Sequence, residues 1–313
     1  MTAAGTAIER LDRLAAERAI ALEKEVALAP FTTLRVGGPA ERLATPRSRD
    51  ELLALLGLAR DAGVRLFILG NGSDVVIADA GIRGLVIRNR ARGISVEGER
   101  VHVDAGTPMA GLVKRCVAEG LAGLDFGISI PGSVGGAVWA NAGAHGGEMA
   151  ALVRQVEAWE PQSGRLVTLP PEECDFSYRE SRFKHSREVV VGATLELRRG
   201  DPAEIARLVG EHQAQRLATQ PLADQNAGSV FRNPPGDHAG RLIEAAGLKG
   251  FRLGSAEVST KHANFIVTDR GALAADVRRV GDHVRATVEE RFGVRLQYEI
   301  EFVGDWPAQD QAA

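Results

Sequence analysis

The chain has 313 residues, with 38 basic and 41 acidic side chains and a formal net charge of -3. This length corresponds to roughly two domains, so a core can form without disulfides or a structural metal. The balanced charge excludes an electrostatic footprint for DNA, RNA or an anionic membrane, although a local basic pocket for a phosphorylated small molecule remains compatible with it.

The first half of the chain predicts a helix followed by short strands and glycine turns. An imperfect apolar stripe predicts a helix over residues 6–24. Ser48 or Asp50 can cap a second helix that ends near Gly63, and the mostly apolar residues 64–69 predict a buried strand after it. Further strands are predicted at 85–87, 94–96, 101–103, 153–159, 166–169 and 189–198, and a helix at 109–119.

The last third of the chain changes character after a Gly-Asp-Pro break. Asp201 can cap a helix over about residues 202–215. A second helix is predicted over 272–292, with an apolar face formed by Leu273, Val277, Val280, Val284 and Val288. A period-two strand at 294–302 closes the domain, and its outward polar residues are Arg295, Gln297, Glu299 and Glu301.

The cysteines and the N-terminal residues indicate a cytoplasmic protein. Cys116 and Cys174 lack any metal-ligand spacing and predict two inert thiols in a reducing compartment. Acidic residues near the N-terminus and the lack of a long apolar run there predict no signal peptide. Residues 126–147 carry no charged side chain and could span a bilayer by length, but seven glycines and a proline predict a buried loop system instead.

Glycine is unusually frequent, and it concentrates in loops. The 36 glycines make up about 12% of the chain against a usual ~7%. One loop, Gly70 to Asp74, follows the strand at 64–69, and its backbone N–H groups can converge on a phosphate. A tight turn with Asn71 in a left-handed conformation explains the same residues equally well.

A second glycine-rich segment covers residues 127–137 and continues through 141–144. It matches neither the P-loop nor the Rossmann fingerprint. Two glycine loops about 60 residues apart could clamp the pyrophosphate of one dinucleotide. A glycine-rich turn that permits close packing is the alternative, and the residues alone leave both open.

Polar residues that could take part in catalysis or ligand binding follow in two places. Arg179, between an aromatic and an acidic residue, could hold a substrate carboxylate in a bidentate fork or form an ordinary surface ion pair. Residues 220–265 alternate polar side chains, glycines and short apolar runs, as in a binding face carried on loops or in ordinary surface turns. Ser229 lacks the Gly-x-Ser-x-Gly elbow of a hydrolase nucleophile, and no histidine pair has metal-ligand spacing, so we predict no catalytic metal.

These segments occur together in one order, closing with a strand that holds Glu299: TTLRVGGPA, LGNGSDVV, GISIPGSVGGAVWANAGAHGGE, FSYRESRF, NAGSVFRNP, AGRLIEAAGLKG and STKHANFIV. In this order the chain resembles the UDP-N-acetylenolpyruvoylglucosamine reductase family over about residues 30–304. The short spacing from Arg179 to Ser229 resembles the branch of the family that lacks the substrate-covering tyrosine loop.

The resemblance implies an α+β fold: a two-subdomain FAD-binding module of the vanillyl-alcohol-oxidase (PCMH) type and a C-terminal α/β domain that binds the UDP-sugar. The expected domains are an N-terminal helix at 1–29, the FAD-binding domain at 30–199 with subdomains at about 30–88 and 89–199, the substrate domain at 202–304, and a flexible tail at 305–313. A monomer is expected.

The resemblance also implies FAD as a non-covalent cofactor and NADPH as the hydride donor. The first glycine loop holds no His or Cys, which agrees with a flavin that is not tethered. The positions matching the family's flavin-binding residues are Arg35, Gly70, Asn71, Gly72, Ser73, Asp74, Pro131, Gly132, Ser133, Gly135, Gly136, Asn141, Gly143 and Ala144. The candidate substrate-binding residues are Tyr178, Gln220, Arg232, Asn233, Lys261 and His262.

The implied reaction reduces UDP-N-acetylglucosamine enolpyruvate to UDP-N-acetylmuramate, a peptidoglycan precursor. Hydride reaches C3 of the enolpyruvyl group and a proton reaches C2. Three residues match the family's catalytic positions: Arg179 would hold the carboxylate and stabilise the enolate, Glu299 would support that charge, and Ser229 would donate the proton. Strand alternation alone ranks Glu299 no higher than Glu301.

The sequence departs from the family pattern at Thr219, where members often have Lys, so the contact to the nucleotide phosphates there is in doubt. The alternative function is another FAD oxidoreductase of the same fold acting on a different hydroxy acid or alcohol. A UDP-sugar-binding or regulatory protein without catalysis is the alternative from another class, and the joint presence of Arg179, Ser229 and Glu299 argues against it.

Overall fold

The computed structural model of the protein describes residues 3–307. Its α-helices are α1 Ala3–Glu17, α2 Arg49–Ala62, α3 Met109–Ala118, α4 Val134–Trp139, α5 Pro202–Thr219, α6 Ala239–Ala245 and α7 Ala274–Phe292. Short 3-10 helices lie at Ala29–Phe31, Asp125–Ser129, Met149–Ala151, Pro171–Glu173 and Arg182–Lys184.

The strands are β1 Glu23–Ala27, β2 Pro39–Ala44, β3 Leu66–Leu69, β4 Val75–Ile77, β5 Ile82–Arg88, β6 Ile94–Glu97, β7 Arg100–Asp104, β8 Leu121–Ala122, β9 Gly143–Ala144, β10 Gly147–Glu148, β11 Val153–Glu160, β12 Arg165–Leu169, β13 Val189–Glu196, β14 Arg198–Arg199, β15 Gln225–Asn226, β16 Arg252–Leu253, β17 Ala256–Val258, β18 Ile266–Thr268 and β19 Glu301–Val303. The mixture of helices and sheets agrees with the predicted α+β class.

The described chain divides into two compact units that interleave in sequence. The first unit contains residues up to 24, then 42–71 and 84–216, and the second contains 25–41, 72–83 and the residues from 217 onward. The predicted domains are contiguous, whereas two short segments from the first third of the chain group with its C-terminal part. The compact units therefore divide the chain differently from the predicted FAD-binding and substrate domains. The boundaries of those two domains stay a prediction.

The first unit is built on an antiparallel five-stranded sheet with the order β12-β11-β13-β7-β6. Strand β13 is almost continuously apolar and buried because both of its faces are covered: Val190 and Leu195 belong to one core cluster, and Val189 and Val191 belong to another. Helices α3 and α4 contribute the buried residues Met109, Leu112, Val134 and Val138 to the core on this sheet. The charge-free segment 126–147 forms a 3-10 turn, α4 and the β9–β10 hairpin, and no helix in the described chain is long and apolar enough to cross a membrane.

The first unit also contains the predicted helix–strand pair near its N-terminal end. Ser48 caps α2, since its side chain accepts a hydrogen bond from the N–H of Glu51, and Gly63 ends the helix in the left-handed conformation. Strand β3 follows and pairs in parallel with β5, so that Leu69 lies opposite Arg88. This pairing places the loop after β3 and the loop after β5 at the same edge.

Helix α5 falls in the first unit up to Arg216, whereas the substrate domain is predicted to begin at residue 202. The rings of His212 on α5 and His145 stack with their centroids 3.9 Å apart. The His212 Nε2 atom lies 3.0 Å from the Asp125 carboxylate. The helix extends beyond the predicted residue 215 to Thr219 and ends before Pro221, because a residue that precedes proline disfavours helical geometry.

The second unit packs α6 and α7 against a four-stranded antiparallel sheet with the order β15-β18-β17-β16. The face of α7 that carries Val277, Val280, Val284 and Val288 is buried as predicted. Leu273 is not part of it, since it is the extended residue before the helix and its side chain is 53% exposed. The carboxylate of Asp79 accepts the first two N–H groups of α7.

Two predicted elements are wrong in extent. The predicted helix at 6–24 ends at Glu17, because Ala19 adopts a positive φ of 54° and Ile20 bonds back to the carbonyl of Ala15. The predicted strand at 294–302 is regular only in β19, although the residues before it still alternate between buried and exposed. Of the predicted tail, residues 308–313 lie outside the described part of the chain.

Candidate active site

The two predicted glycine loops contact each other in the first unit. The Asn71 side-chain amide donates to the Pro131 carbonyl across 3.1 Å. A Cβ atom at Gly70 would lie 2.5 Å from the Ser133 hydroxyl, so a side chain at that position would force Ser133 to move. Segments that are 60 residues apart in sequence are thereby brought together at the carboxyl end of β3.

Close packing accounts for several of the glycines that flank this contact. A Cβ atom would lie 2.8 Å from the Ala105 side chain at Gly135 and 2.5 Å from the Gly147 carbonyl at Gly143. Gly136 differs, because the one neighbour of its Cβ position within 4 Å is the Ser133 hydroxyl at 3.7 Å. The packing alternative therefore holds for Gly135 and Gly143, while space remains beside Ser133 at Gly136.

The remaining residues of the first glycine loop belong to the second unit. Gly72 has a positive φ of 65°, and its carbonyl accepts from the N–H of Thr33 at 2.9 Å. Arg35, close to Thr33 in sequence, also has a positive φ, of 57°, and its guanidinium donates to the Pro30 carbonyl. The Asp74 carbonyl accepts from the N–H of Glu301. Hydrogen bonds thus connect Gly72 to the Arg35 turn and Asp74 to the last strand.

Arg179 is presented by a tight turn in the first unit. Ser177 and Glu180 exchange two backbone hydrogen bonds, and Arg179 between them has a positive φ of 58°, an uncommon conformation for a residue with a side chain. Its guanidinium donates to the Gly143 carbonyl at 2.7 Å. The guanidinium also lies 5.0 Å from the ring centroid of Tyr178, which is itself 49% exposed.

The residues 141–144 anchor this turn. Asn141 is fully buried with a positive φ of 42°, and its amide donates to the Ser177 carbonyl at 2.8 Å. The Asn141 side-chain oxygen accepts from the N–H of Ala150. The predicted flavin-binding segment and the predicted carboxylate-binding arginine are therefore parts of one hydrogen-bonded structure.

Ser229 and Glu299 lie on neighbouring backbones in the second unit. The N–H of Glu299 donates to the Val230 carbonyl at 2.8 Å, and the N–H of Arg232 donates to the Gln297 carbonyl at 2.9 Å. Both Ser229 and Glu299 are half-buried, whereas Gln297 is exposed. Glu301 lies instead beside Val75 in the β4–β19 pair. Backbone pairing thus distinguishes Glu299 from Glu301, which alternation did not.

Asn264 holds the backbone next to Ser229 and was not among the predicted site residues. Its side-chain amide donates to the Phe231 carbonyl at 2.8 Å, and its side-chain oxygen accepts the Phe231 N–H at 3.0 Å. The Asn264 carbonyl accepts the N–H of Val230. The partner of this side chain lies 33 residues away in sequence, so the residues around Asn264 carry no local signal for the role.

The predicted substrate residues of the second unit have varied surroundings. Asn233 accepts the N–H of Ala239 at the start of α6, and the Lys261 ammonium donates to the Leu217 carbonyl at 2.7 Å. Burial lowers the pKa of His262, and the nearby Lys249 lowers it further. His262 is therefore favoured in its neutral form. Gln220 and Arg232 belong to the same unit.

Comparison with known proteins covers both parts of the chain. Residues 220–303 match the family model for the C-terminal domain of UDP-N-acetylenolpyruvoylglucosamine reductase, and residues 40–170 match the model of an FAD binding domain. UDP-N-acetylenolpyruvoylglucosamine reductase 2 of Symbiobacterium thermophilum is 46% identical over 279 residues, which cover 88% of this chain and 90% of that protein. The reductase of Lactiplantibacillus plantarum is 41% identical over 295 residues, or 94% of this chain and 97% of that protein.

A solved structure agrees with these relatives. The crystal structure of UDP-N-acetylenolpyruvylglucosamine reductase from Thermus caldophilus matches with a TM-score of 0.78 and 37% identity, covering 92% of this chain and 99% of that one. The chain belongs to the UDP-N-acetylenolpyruvoylglucosamine reductase family. The resemblance identified from the sequence blocks is thus confirmed, and so is the combination of an FAD-binding module with a C-terminal domain specific to the family. Assignment to the branch without the tyrosine loop stays a prediction.

The residues of the first unit fit the flavin dinucleotide that the FAD-binding module implies. The two glycine loops meet where a Cβ atom at Gly70 would collide with the Ser133 hydroxyl, and among the described residues Ser133 is the only neighbour within 4 Å of a Cβ position at Gly136, which leaves space there. Backbone N–H groups beside such a space can bind phosphate oxygens, and FAD, the cofactor of this family, contains a pyrophosphate. Among residues 3–307, no group of three or more His, Cys, Asp or Glu side chains is arranged to hold a metal ion.

Proposed function

We propose that this chain reduces UDP-N-acetylglucosamine enolpyruvate to UDP-N-acetylmuramate, with FAD as bound cofactor and NADPH as reductant, and that Arg179, Ser229 and Glu299 are its catalytic residues. Family membership makes the chain an FAD-dependent oxidoreductase of peptidoglycan precursor synthesis. FAD, when bound, would supply the hydride chemistry that connects NADPH to C3 of the enolpyruvyl group. The protein must then hold the substrate and supply a proton to C2.

Arg179 is the proposed ligand of the substrate carboxylate. A guanidinium can bind a carboxylate through two parallel hydrogen bonds, and it stabilises the negative charge that grows on this group as the enolate forms. The bond from Arg179 to the Gly143 carbonyl engages one of its nitrogen atoms, and the turn at residues 177–180 orients the side chain. A strained backbone at a charged residue is common where function requires a fixed direction.

Ser229 is the proposed proton donor to C2. A serine hydroxyl is a weak acid, so it acts efficiently only when held at hydrogen-bond distance from the carbon that is protonated. The residues on both sides restrict it: Gly228 bonds to the Asn226 side chain at 3.0 Å, and Val230 is fixed by the Asn264 carbonyl and by Glu299. Ser229 as a whole is half-buried.

Glu299 is the proposed support for the charge that develops beside Ser229. The observation that favours this pair most is the backbone bond from Glu299 to Val230, next to Ser229, at 2.8 Å. A carboxyl group that carries its proton can return a proton to the serine oxygen, directly or through one water, and so removes the negative charge that proton donation to C2 leaves there. The neighbouring acid Glu301 is assigned no role, because it is paired with Val75 of β4.

The proposal for cofactor and substrate binding keeps the residues predicted from the family motifs. Arg35 and the two glycine loops bind FAD, and Tyr178, Gln220, Arg232, Asn233, Lys261 and His262 bind the UDP-sugar. Lys261 must exchange its bond with the Leu217 carbonyl for a phosphate oxygen, or share it. A cytoplasmic location and a monomeric state stay predictions from the sequence.

Two half-reactions test the function and the role of Ser229 together. The purified holoenzyme should show a flavin absorbance spectrum that NADPH bleaches and that UDP-N-acetylglucosamine enolpyruvate restores under anaerobic conditions. Ser229→Ala should leave bleaching by NADPH nearly intact and slow the restoration by a factor of about 10² to 10⁴, the usual contribution of a positioned proton donor.

The contrary outcomes separate two failures. If the substrate does not reoxidise the flavin of the unchanged enzyme, the proposed activity is wrong. If Ser229→Ala slows both half-reactions equally, the serine has a structural role instead. The variant Glu299→Gln tests the role of Glu299, and Glu301→Gln is its matched control. The control should leave both half-reactions close to those of the unchanged enzyme.

A further inference from the structure

Three arginines lie at the end of β5 and in the segment that follows it. Arg88, Arg90 and Arg92 alternate with Asn89 and Ala91, which are 2% and 1% exposed. Arg88 and Arg90 are half-buried and Arg92 is exposed. The backbone is held in place, since the N–H of Asn89 bonds to Leu69, the N–H of Arg90 bonds to Pro46, and the Asn89 side chain accepts the N–H of Ala91. We call Arg88, Arg90 and Arg92 the arginine row.

The arginine row concentrates positive charge in a protein whose net charge is negative. Burial lowers the pKa of Arg90, and the charges of Arg88 and Arg92 lower it further. Burial also lowers the pKa of Arg88. The positive charges of Arg92 and Arg47 lower it further, and each has a larger effect than the negative charge of Glu23, which raises it. Neither Arg90 nor Arg92 forms an ion pair with another residue of the described chain. Repulsion among like charges at partly buried positions is a cost that a bound anion removes.

The arginine row is joined to the two glycine loops. The Arg90 guanidinium donates to the Asn71 side-chain oxygen at 2.7 Å, and the same asparagine donates to the Pro131 carbonyl at 3.1 Å. Leu69 and Arg88 are paired residues at the ends of the parallel strands β3 and β5. In sheets with parallel strands, ligands bind at this carboxyl edge. The row therefore starts where the bare backbone at Gly70 begins.

We propose that Arg90 and Arg92 bind the pyrophosphate of FAD and supply the positive charge that the glycine loops lack. The backbone N–H groups of the loops can orient phosphate oxygens, but they carry no net charge with which to neutralise the two negative charges of a pyrophosphate. Guanidinium groups bind phosphate oxygens through paired, charge-assisted hydrogen bonds. Arg90 has a second role, because its bond to Asn71 fixes the side chain that connects the loops.

The inference rests on the proposed function only in that FAD is the cofactor. The 2′-phosphate of NADPH could bind the same arginines as the pyrophosphate of FAD, because both ligands offer phosphate oxygens. The two ligands give different results in experiment. FAD bound through its pyrophosphate should lose affinity when the arginines are neutralised, whereas riboflavin, which has no phosphate, should not. A 2′-phosphate site would instead change the preference for NADPH over NADH.

The test measures flavin dissociation from the full-length holoenzyme. Dilution series followed by flavin fluorescence give the Kd for FAD, and the same series after exchange of FAD for riboflavin gives the Kd for riboflavin. The Arg90→Gln/Arg92→Gln double variant should raise the Kd for FAD by at least about tenfold, the scale of one charge-assisted hydrogen bond, and leave the Kd for riboflavin unchanged. Added KCl should weaken FAD binding less in the variant than in the unchanged protein.

The matched control removes two exposed arginines of the same unit. Arg115 and Arg154 are 53% and 58% exposed and pair with Glu119 and Glu196. Arg115→Gln/Arg154→Gln changes the net charge equally and should leave the Kd for FAD unchanged. The single variant Arg92→Gln preserves the bond between Arg90 and Asn71 and should still weaken FAD binding.

Three results would overturn the proposal. An unchanged Kd for FAD in the double variant removes the arginines from the site. Equal weakening of FAD and riboflavin assigns them a structural role. An unchanged Kd for FAD together with a raised KM for NADPH, but not for NADH, assigns them to the nicotinamide cofactor. None of these depends on reoxidation by the enolpyruvyl substrate, so a failure of the proposed function remains distinguishable.

Discussion

Replacing Asn264 by alanine should both destabilise the protein and slow the substrate half-reaction. The side chain acts as a substitute for a neighbouring strand, because it satisfies both backbone groups of Phe231 at 3.0 and 2.8 Å. Phe231 faces Tyr298 across an isolated bridge, and the flanking bonds there are made by Val230 and Arg232. The Phe231 N–H and carbonyl therefore depend on Asn264.

The magnitude follows from burial. Asn264 is 4% exposed and Phe231 is 1% exposed, so water reaches the abandoned groups poorly. Each buried backbone group left without a partner costs about 1–3 kcal/mol, which gives about 2–6 kcal/mol for Asn264→Ala, and partial hydration of the new space favours the lower half of that range. A loss of about 3 kcal/mol is a large part of a usual total stability of about 5–15 kcal/mol, but the protein stays folded.

The assay combines urea unfolding with the two flavin half-reactions. Asn264→Ala should lower the free energy of unfolding by about 3 kcal/mol, leave reduction by NADPH nearly unchanged and slow reoxidation by the substrate, since Ser229 loses the anchor of the next residues. Ser255→Ala is the control: it removes the serine's bonds to Asp276 and Leu273 in the same unit and should destabilise without affecting either half-reaction.

Two outcomes would refute this reasoning. A stability change for Asn264→Ala below about 0.5 kcal/mol would mean that water or a rearranged backbone satisfies Phe231 equally well. If Asn264→Ala loses the predicted ~3 kcal/mol of stability but its reoxidation is unchanged, the Ser229 hydroxyl is positioned independently of Asn264.

Three further predictions concern stability and reactivity. Two hydrogen bonds from Arg42 to Asp12 hold the Asp12 pKa at about 2, below its ordinary value. Asp12→Asn should therefore lower the free energy of unfolding by about 1–2 kcal/mol above pH 4. The difference should shrink as acid protonates the native carboxylate toward pH ~2, and urea unfolding across pH measures it. Asp79→Ala should lower stability by about 1–2 kcal/mol in the same assay, because α7 loses its N-terminal acceptor. Burial raises the pKa of Cys116 to about 12 and of Cys174 to about 11, so a thiol reagent at pH 8 should label both only after unfolding.

Equal stability of Asp12→Asn and the unchanged protein at pH 7 would show that the ion pair contributes nothing net. For Asp79, helix stability unaffected by the substitution would show that water replaces the carboxylate. Rapid labelling of either cysteine in the folded protein would contradict its burial.

Local features of the sequence predicted most of the helices and strands. The Ser48 cap, the Gly63 ending and the valine stripe of α7 are determined within one or two helical turns, so their residues specify them directly. The limits appeared where a distant contact competes with a local pattern. Alternation continues through Leu296 and Ile300, but pairing there is confined to the isolated Phe231–Tyr298 bridge and its flanking bonds, so the regular strand is only Glu301–Val303.

The candidate site shows the same division. The glycine loops and Arg179 were identified from sequence because unusual composition and a motif order are local properties. Neither glycine spacing nor motif order could show that Asn71 reaches Pro131 or that Arg179 reaches Gly143. The arginine row is not evident from sequence, because only the tertiary structure shows that Asn89 and Ala91 between the arginines are buried.

The sequence by itself determined the family, the α+β class and the residue types available for flavin and substrate chemistry, since these depend on order and composition. The tertiary structure alone decided which polar residues become neighbours. It placed Glu299 rather than Glu301 beside the Ser229 backbone, and it made Asn264 the partner of Phe231. The physical reason is that a hydrogen bond is satisfied by whichever group folding brings within about 3 Å, and separation along the chain carries no information about that distance.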